Sequence, residues 1–552
     1  MLALCGLCFF LNLGGLPLVG PDEPRYAEVG REMFASGDWI TPRLAGHLWF
    51  EKPVLLYWGQ ALCYHIFGVN EWAARFPSAL GASITVLFVA YTLRRLISAQ
   101  WGFLAGATLA TCAFWFALAR AASTDMVLAC AIGVAVLAGY LAFHSVGRAR
   151  TGFWLLFSLA LGASMLAKGL IGILLICGIL GLHRVLMRRP IVSAMRHNAA
   201  LVLAGFAVFL VTTAVWYAPV WMINGEIFWT EFFVRHHFER FTSNEFHHQQ
   251  PAYFYLFIAL VGVVPWTFFL PAAFARLRHL RARDDARGAL LLLAWIWAAL
   301  PIAFFSLSGS KLPAYILPSF PALAILIGAE LERLWNGEGD RWSRFGLGAT
   351  AIAVCAIGLG GAVYGWKVGV SHASWQLVFA ALPPIFGLIA LSAWGCGACR
   401  NAIGASIALT TSVVVAATLL LFAPLGEKLS RKQLSVAAYA QLKPGESIVF
   451  YRKQKEYAPV FYARGRVLFY EQKLDASGKE IEGQGQFLPS GTLSKGDAID
   501  ASTPAELMLA LQPSAIVITN PDQAAKLQSD ARLRIEPLAQ QDKVVALRVW
   551  KR

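Results

Sequence analysis

Thirteen apolar stretches, each long enough to cross a lipid bilayer, follow one another along the first 424 residues of the chain. A soluble fold cannot bury them all, and only 14% of the 552 residues are charged, compared with about 25% in soluble proteins. The sequence therefore predicts an α-helical polytopic membrane protein. The predicted spans are 1–19, 75–93, 102–119, 126–143, 152–167, 169–186, 199–221, 253–275, 288–306, 314–331, 345–366, 375–395 and 402–423.

The composition changes sharply after residue 424. The tail is rich in Lys, Glu and Gln, and it contains strand-like runs at 447–451, 467–470, 515–519 and 544–549. A helix-like stretch at 504–511 precedes the third run. We therefore expect two domains, a membrane domain over residues 1–424 and a small soluble α/β domain over residues 425–552.

Arginine residues cluster in alternate short loops between the predicted spans, including Arg94, Arg95, Arg148, Arg150, Arg184, Arg188, Arg189 and Arg196. Positive loops stay on the cytoplasmic side, so this pattern predicts a cytoplasmic N-terminus and an outer C-terminal domain. The net charge of +15 is thus mostly a topology signal, and it indicates no nucleic-acid partner. Three long segments then face outward: 20–74, 222–252 and the tail.

The first outer loop concentrates charged and aromatic side chains. It holds Asp22, Glu23, Arg25, Tyr26, Glu51 and Lys52, with Trp39, Trp49, Phe50 and Trp58 between or beside them. The aromatic residues predict helices that lie in the membrane interface. Acidic residues at a membrane boundary can also be plain topological caps, but so many charged partners in one loop are typical of the wall of a site.

A second acid and several single cations lie on the same predicted side. Asp125 follows Ser123 and Thr124, so it is either a functional carboxylate or a helix N-cap. Lys168, Lys311 and Arg240 stand in separate loops, where each alone could simply extend to the membrane surface. Together with Lys52 they could instead neutralise the phosphate of a membrane lipid.

The second long loop carries four histidines, His236, His237, His247 and His248. Glu51 with one of them could hold a divalent metal ion, although the spacing suits polar loop histidines equally well. Neither a phosphate-binding loop nor a dinucleotide fingerprint occurs, so no nucleotide is expected. An activated donor on the outer side is therefore expected to be linked to a lipid.

These motifs resemble those of the bacterial aminoarabinose transferases, which belong to the GT-C class of polyprenyl-phosphate-dependent glycosyltransferases together with protein O-mannosyltransferases. The resemblance rests on the first-loop sequences DExRYAE from Asp22, GDW from Gly37 and FEKP from Phe50. It continues, in order, through Thr124-Asp125, Lys168-Gly169, His237-x-x-Arg240-Phe241 and Lys311-Leu312-Pro313-x-Tyr315.

The resemblance implies a fold of GT-C type and a reaction. The enzyme would move 4-amino-4-deoxy-L-arabinose from undecaprenyl phosphate to a lipid A phosphate, on the periplasmic face of the bacterial inner membrane, and so confer resistance to polymyxin. By position, Asp22 and Asp125 match catalytic acids, and Glu51 and His237 match a metal pair for zinc or a similar ion. The donor phosphate would be held by Lys52, Arg240, Tyr315, Lys168, Lys311, Arg25 and Tyr26.

Two questions stay open at the level of sequence. Asp22 would act as a general base if the acceptor is a hydroxyl, but an acceptor phosphate is already ionised and needs only positioning. Related enzymes share the same motifs, so an enzyme acting on a protein or another glycan is an alternative. A transporter of lipid-linked sugars is a further alternative, but charged midplane helices and an internal repeat, which are typical of transporters, are not apparent.

Overall fold

A computed structural model of the chain describes residues 1–188, 199–239, 250–278, 285–367, 374–422, 426, 430, 432–443, 446–450, 458–464, 467–474, 480–489, 499–500, 514–541 and 544–551. The chain divides into two compact units. The first comprises Met1–Gly15, Phe50–Leu56 and Arg75–Phe422. The second comprises Leu16–Trp49, Tyr57–Ala74 and Ala423–Arg552, so it contains most of the first outer loop as well as the tail. The domain boundary expected at residue 424 stays a prediction.

Long apolar helices make up the first unit. Four consecutive helices are α7 (Thr124–Phe143), α8 (Gly147–Lys168), α9 (Leu170–Leu186) and α10 (Ala199–Phe228, continuing as a π-helical segment, Trp229–Glu239). Before them come α1 (Leu2–Cys5), α4 (Glu71–Leu96), α5 (Ala99–Thr111) and α6 (Ala113–Ala119). After them come α11 (Phe254–Gly262), α12 (Leu270–Leu277), α13 (Ala286–Ser306), α14 (Phe320–Trp335), α15 (Arg341–Lys367), α16 (Ser374–Gly395) and α17 (Cys399–Leu420).

The described helices confirm a multi-pass membrane protein. Eight of them are long and apolar enough to span a bilayer, and two bent pairs raise the number to as many as ten. Two more predicted spans coincide with shorter apolar helices, Leu170–Leu186 and Ala381–Gly395. The count of thirteen spans stays a prediction.

The expectation of one continuous helix over residues 1–19 is wrong. The helix α1 continues as a π-helical turn, Gly6–Phe10, and then ends. The buried guanidinium of Arg120 donates hydrogen bonds to the carbonyl oxygens of Cys8 (3.2 Å), Phe9 (3.3 Å) and Asn12 (3.0 Å). These bonds satisfy carbonyl groups that a helix end leaves without partners, so the chain can leave the helix inside the unit.

Two predicted spans are bent where they pass each other. The pair α5 and α6 bends by 67°, and the pair Phe254–Gly262 and Trp266–Leu277 bends by 107°. The amide of Ala113 donates to the carbonyl oxygen of Val264 at 2.9 Å, and the indole of Trp266 donates to the Thr111 hydroxyl at 2.9 Å. Backbone groups released by a break inside a membrane need such partners, because lipid offers none.

The first outer loop forms two helices and a short hairpin within the second unit. These are α2 (Asp22–Ser36), α3 (Leu55–Phe67, whose first turn belongs to the first unit) and the antiparallel strands β1 (Arg43–Leu44) and β2 (His47–Leu48). Glu32 accepts hydrogen bonds from the turn amides of Ala45 (2.6 Å) and Gly46 (3.0 Å). The placement of these helices in the membrane interface stays a prediction.

The tail contains a mixed sheet, as the strand-like runs predict. Its seven described strands are β3 (Ile448–Phe450), β4 (Val467–Leu474), β5 (Glu480–Pro489), β6 (Ile499–Asp500), β7 (Ser514–Thr519), β8 (Leu533–Gln541) and β9 (Val544–Lys551). The spatial order is β6-β5-β4-β3-β7-β9-β8, with β3 parallel to both β4 and β7. The helix Pro521–Gln528 packs Ala524 and Leu527 against this sheet. The helix expected over 504–511 lies outside the described residues.

One polar cluster joins the tail to the first outer loop inside the second unit. Glu71 accepts from the Lys432 ammonium at 2.5 Å and from the Tyr462 hydroxyl at 3.0 Å. The same hydroxyl accepts the amide hydrogen of Leu18 at 2.9 Å. The sequence motifs did not indicate this cluster, because its members come from three distant parts of the chain.

Candidate active site

Asp125 and Lys168 form an ion pair in the first unit. The two side chains are only 16% and 14% exposed. A pair so largely removed from water gains more from its charges than a surface pair does, because screening by solvent is weaker. The motifs Thr124-Asp125 and Lys168-Gly169, which are far apart in sequence, therefore meet at one place.

The local sequence explains how α7 and α8 place these two side chains next to each other. The Ser123 hydroxyl, not the Asp125 carboxylate, caps α7 by accepting the amide hydrogen of Asp125 at 3.1 Å. The N-cap interpretation of Asp125 is therefore wrong, and its carboxylate is available to Lys168. Gly169 has φ of +77°, a conformation that favours glycine, and it lets α9 begin directly after Lys168 ends α8.

Tyr315 completes this cluster. The Lys168 ammonium lies 4.5 Å from the centroid of the Tyr315 ring, which is a cation–π contact. Tyr315 belongs to a 3-10 helix, Pro313–Ser319, whose preceding carbonyl at Leu312 accepts a hydrogen bond from the buried Tyr255 hydroxyl at 3.1 Å. The Phe305 ring packs against Tyr315 with centroids 5.1 Å apart. Sequence reasoning missed Tyr255, because an aromatic residue in an apolar run carries no distinctive signal.

Lys52 and Glu51 form a second, adjacent-residue ion pair in the first unit. The Lys52 ammonium lies 2.9 Å from a Glu51 carboxylate oxygen, and Lys52 is 8% exposed. The neighbouring Phe50 is buried and packs edge to face on Phe228 at 5.3 Å between centroids. The buried Phe50 thus anchors the FEKP motif and holds the Glu51–Lys52 ion pair that follows it in place.

The remaining donor-phosphate candidates of this unit have different surroundings. The Lys311 ammonium donates to the carbonyl oxygen of Ser308 at 2.7 Å, which holds it within its own loop. An ammonium has three N–H donors, so this bond leaves capacity for an anion. Arg240 lies outside the described residues, and so does the side chain of His237.

Asp22, Arg25 and Tyr26 lie on the first turns of α2 in the second unit. Asp22 pairs with Arg25, and its side chain is half exposed. The Arg25 guanidinium also donates to the carbonyl oxygen of Pro21 at 2.8 Å and stacks 5.6 Å from the Trp49 ring. Tyr26 is buried, with its ring 6.2 Å from that of Tyr57. Asp22 is the first residue of α2, where the helix dipole favours an acidic side chain, and its position is accessible.

The described part of the chain contains no cluster of three or more His, Cys, Asp or Glu side chains that could hold a metal ion. The Glu51 carboxylate accepts from the Lys52 ammonium, and a cation placed there would be repelled by that charge. The side chain of His237 lies outside the described residues, so the metal pair that the motifs suggest stays a prediction, and no chemical step below depends on a metal.

Chemically, the first unit offers ammonium groups held by carboxylates and an aromatic ring, in surroundings with little water. Such groups can stabilise negative charge that develops on a phosphate, because they are already oriented and cost no reorganisation. This arrangement suits the departure of a lipid phosphate better than it suits proton abstraction alone.

Comparison with known proteins identifies the family. The sequence model described as dolichyl-phosphate-mannose-protein mannosyltransferase matches residues 51–217. An Aeromonas salmonicida (strain A449) protein named undecaprenyl phosphate-alpha-4-amino-4-deoxy-L-arabinose arabinosyl transferase is 32% identical over 388 residues, which cover 68% of this chain and 69% of that protein. This chain belongs to the undecaprenyl phosphate-aminoarabinose arabinosyl transferase family.

Other members of this arabinosyl transferase family agree with the assignment. A Sodalis glossinidius (strain morsitans) protein with the same name and the suffix 2 is 33% identical over 330 residues, and the match spans 58% of its length and 59% of this chain. The crystal structure of ArnT from Cupriavidus metallidurans bound to undecaprenyl phosphate matches with a TM-score of 0.76 at 25% identity, covering 99% of this chain and 97% of that one. The resemblance inferred from the motifs, and the helical GT-C fold, are thus confirmed.

Proposed function

We propose that this protein transfers 4-amino-4-deoxy-L-arabinose from undecaprenyl phosphate to a phosphate of lipid A. Its membership of the arabinosyl transferase family carries this proposal. The match to a relative that binds undecaprenyl phosphate extends over almost the whole chain and supports the same donor. Added aminoarabinose offsets the negative charge of lipid A, so the activity would confer resistance to polymyxin and similar cationic peptides.

The leaving group of this reaction is a lipid phosphate, which gains charge as the bond from the sugar breaks. Lys168 and Lys52 are the described cations best prepared to neutralise that charge, because each is largely buried and fixed by a neighbouring carboxylate. Lys311, Arg240, Tyr315, Arg25 and Tyr26 complete the proposed set of phosphate-binding residues. Asp125 acts in this scheme by positioning the Lys168 ammonium.

The acceptor attacks the anomeric carbon, and the bond between that carbon and the donor phosphate breaks. A direct attack of this kind inverts the configuration at the anomeric carbon. A lipid A phosphate is ionised at neutral pH, so the attacking oxygen needs no strong base. We therefore assign Asp22, half exposed at the start of α2, to positioning the acceptor or pairing with the amine of the sugar.

The predicted orientation places these motifs on the periplasmic face of the inner membrane, with the N-terminus in the cytoplasm and the tail in the periplasm. This assignment is supported by the arginine-rich alternate loops. The metal pair Glu51 and His237 stays a prediction, and elemental analysis of the purified protein would test it. The reaction scheme above gives no role to a metal ion.

Complementation tests the proposal in cells. A Gram-negative strain that lacks its own arabinosyl transferase but still makes the donor is given this chain, and its lipid A is examined by mass spectrometry. We expect aminoarabinose on a lipid A phosphate and renewed survival in polymyxin. Unmodified lipid A, despite normal membrane insertion of the protein, would contradict the proposal.

The same strain distinguishes the related alternative. The match to the mannosyltransferase model over residues 51–217 favours, as a second candidate, an enzyme that glycosylates a protein hydroxyl. Periplasmic proteins that gain a pentosamine, while lipid A stays unmodified, would support that candidate.

A further inference from the structure

An open apolar pocket lies in the first unit between α7, α8, α9 and α10. Its volume is about 530 Å³, and almost all of its lining is hydrocarbon or aromatic. The residues that shape it include Phe143, Trp154, Phe157, Leu180, Phe206 and Phe209. Pockets of several hundred cubic ångströms with such walls are typical of sites for apolar ligands.

This pocket is distinct from the candidate active site. Asp125 lies in the first turn of α7, and Lys168 is the last residue of α8. The pocket is instead lined by α7 residues from Gly139 to Phe143 and by α8 residues from Trp154 to Leu161. At about 1.5 Å per residue, Gly139 lies roughly 21 Å along the helix from Asp125. None of the candidate site residues lines the pocket, and on α7 the pocket lies at the end opposite Asp125, although its lining on α9 begins at Ile173.

The length of the pocket matches one leaflet of a bilayer. On α9 its lining extends from Ile173 to Arg184, which is about 16 Å of helix. The hydrocarbon core of a bilayer is about 30 Å thick, so half of it is about 15 Å. One acyl chain of a phospholipid could therefore lie along the pocket with its glycerol end level with Arg184.

The end of the pocket that contains Arg184 is basic and offers polar contacts. The Arg184 guanidinium lies 4.4 Å from the centroid of the Phe143 ring, in the last turn of α9. Arg188 follows it and is exposed. The indole nitrogen of Trp154 is buried and has no hydrogen-bond acceptor among the described residues. A lipid phosphate would complement the charge of these arginines.

We propose that this pocket binds an anionic phospholipid from the leaflet opposite the candidate active site, with one acyl chain inside and the phosphate at Arg184. On the predicted orientation this is the cytoplasmic leaflet. The site is separate from the donor and acceptor sites, so it does not depend on the proposed transferase activity.

Gly181 allows the pocket to be filled without disturbing the helices. A Cβ atom added at Gly181 would meet no atom within 4 Å, and Gly181 lines the pocket. Gly181→Leu therefore places a side chain where the acyl chain would lie. Gly152→Leu is the matched control, because Gly152 is also helical and also has open space, but it does not line the pocket.

Arg184→Gln tests the contact with the headgroup. Its matched control is Arg341→Gln, because Arg341 likewise stacks on an aromatic ring, 5.3 Å from the centroid of Trp342, and lies outside the pocket. Retention of bound lipid is measured by native mass spectrometry of the full chain, with palmitoyl-oleoyl phosphatidylglycerol or phosphatidylcholine added in equal amounts.

We expect the wild type and both controls to retain one phosphatidylglycerol with at least about fivefold lower Kd than phosphatidylcholine, since one arginine contributes about that preference. Gly181→Leu should lose both lipids, and Arg184→Gln should bind both equally. Equal binding of the two lipids by the wild type, or retention by Gly181→Leu, would overturn the proposal. Displacement of the lipid by one equivalent of undecaprenyl phosphate would also overturn it, because the pocket would then hold the donor chain.

Discussion

Asp125 acquires its role from a partner that is 43 residues away along the chain. Its sequence neighbours fit a helix cap as well as a functional acid, and only the structure shows that Ser123 provides the cap. Motif order predicts which residues belong to a site, but it does not predict which side chains pair. The same limit applies to Arg120, whose hydrogen bonds end the first helix although it stands in a short loop that carries no motif.

Replacement of Asp125 by Asn should abolish most turnover while the protein stays folded. The neutral amide keeps the shape of the carboxylate but no longer holds the Lys168 ammonium in place. We expect kcat to fall about 100-fold or more, a usual cost of losing one oriented electrostatic group. The control is Ser123→Ala, which removes the cap and costs about 1 kcal/mol of stability. A similar loss of turnover in both variants would assign the effect to helix capping.

Replacement of Lys52 by Ala should weaken donor binding. The change removes a buried cation and leaves the Glu51 carboxylate beside the donor phosphate. We expect the KM for the lipid-linked donor to rise about tenfold or more, since a charge-assisted hydrogen bond contributes about 1.5–3 kcal/mol. Lys526→Ala, an exposed lysine of the tail helix, is the control. An unchanged donor KM in the Lys52 variant would exclude Lys52 from phosphate binding.

Glu28 should make the stability of the protein depend on pH. Its carboxylate is fully buried and accepts two hydrogen bonds from Arg31, at 2.7 and 2.8 Å. Burial raises the pKa of Glu28 to about 8, and Arg31 opposes the rise. An unfolded glutamate has a pKa of about 4.3, so the folded state binds the proton more tightly between these values.

The stability that protonated Glu28 contributes is therefore complete below about pH 4.3 and is lost as the pH rises towards 8. We expect the Tm of the wild type to fall between pH 5 and pH 8 relative to that of Glu28→Gln, which cannot ionise. Glu338→Gln, an exposed position, should follow the wild type. Parallel Tm curves for the wild type and Glu28→Gln would rule out this titration.

At the scale of elements, apolar length predicts where helices lie but not how they bend. The spans expected over 102–119 and 253–275 are both broken, and hydrogen bonds from Ala113 to Val264 and from Trp266 to Thr111 join the two breaks. The hydropathy of the sequence does not reveal such long-range hydrogen-bond partners. Strand-like runs in the tail predicted four strands correctly, but β5, β6 and β8 were missed: β6 has only two residues, and charged, glutamine, glycine or proline residues interrupt the apolar residues of β5 and β8.

Close packing of α5 on α14 should not tolerate a larger residue at Gly328. A Cβ atom there would lie 2.8 Å from the Cα, Cβ and backbone nitrogen of Ala105. Small residues let helices approach in this way inside membranes. We expect Gly328→Leu to lower the Tm by several degrees or prevent folding. Gly360→Leu on α15, where a Cβ meets nothing within 4 Å, should leave the Tm close to that of the wild type. Equal Tm values for the two variants would contradict the close approach.

At the scale of the whole molecule, the sequence predicts both the class of protein and its family. The motifs indicate a member of the arabinosyl transferase family, since they lie in order along the membrane part. The expected division into residues 1–424 and 425–552 stays a prediction, and most of the first outer loop lies in one compact unit with the tail. Contacts such as Glu71 with Lys432 and Tyr462 produce this grouping, and they join residues hundreds of positions apart.

Transfer by the purified full-length protein tests the central claim most directly. The protein is mixed in detergent with undecaprenyl phosphate carrying labelled aminoarabinose and with lipid A, dephosphorylated lipid A or a periplasmic protein extract. We expect label on intact lipid A alone, and almost none when Asp125→Asn replaces the wild type. Label on dephosphorylated lipid A or on protein, with none on intact lipid A, would contradict it.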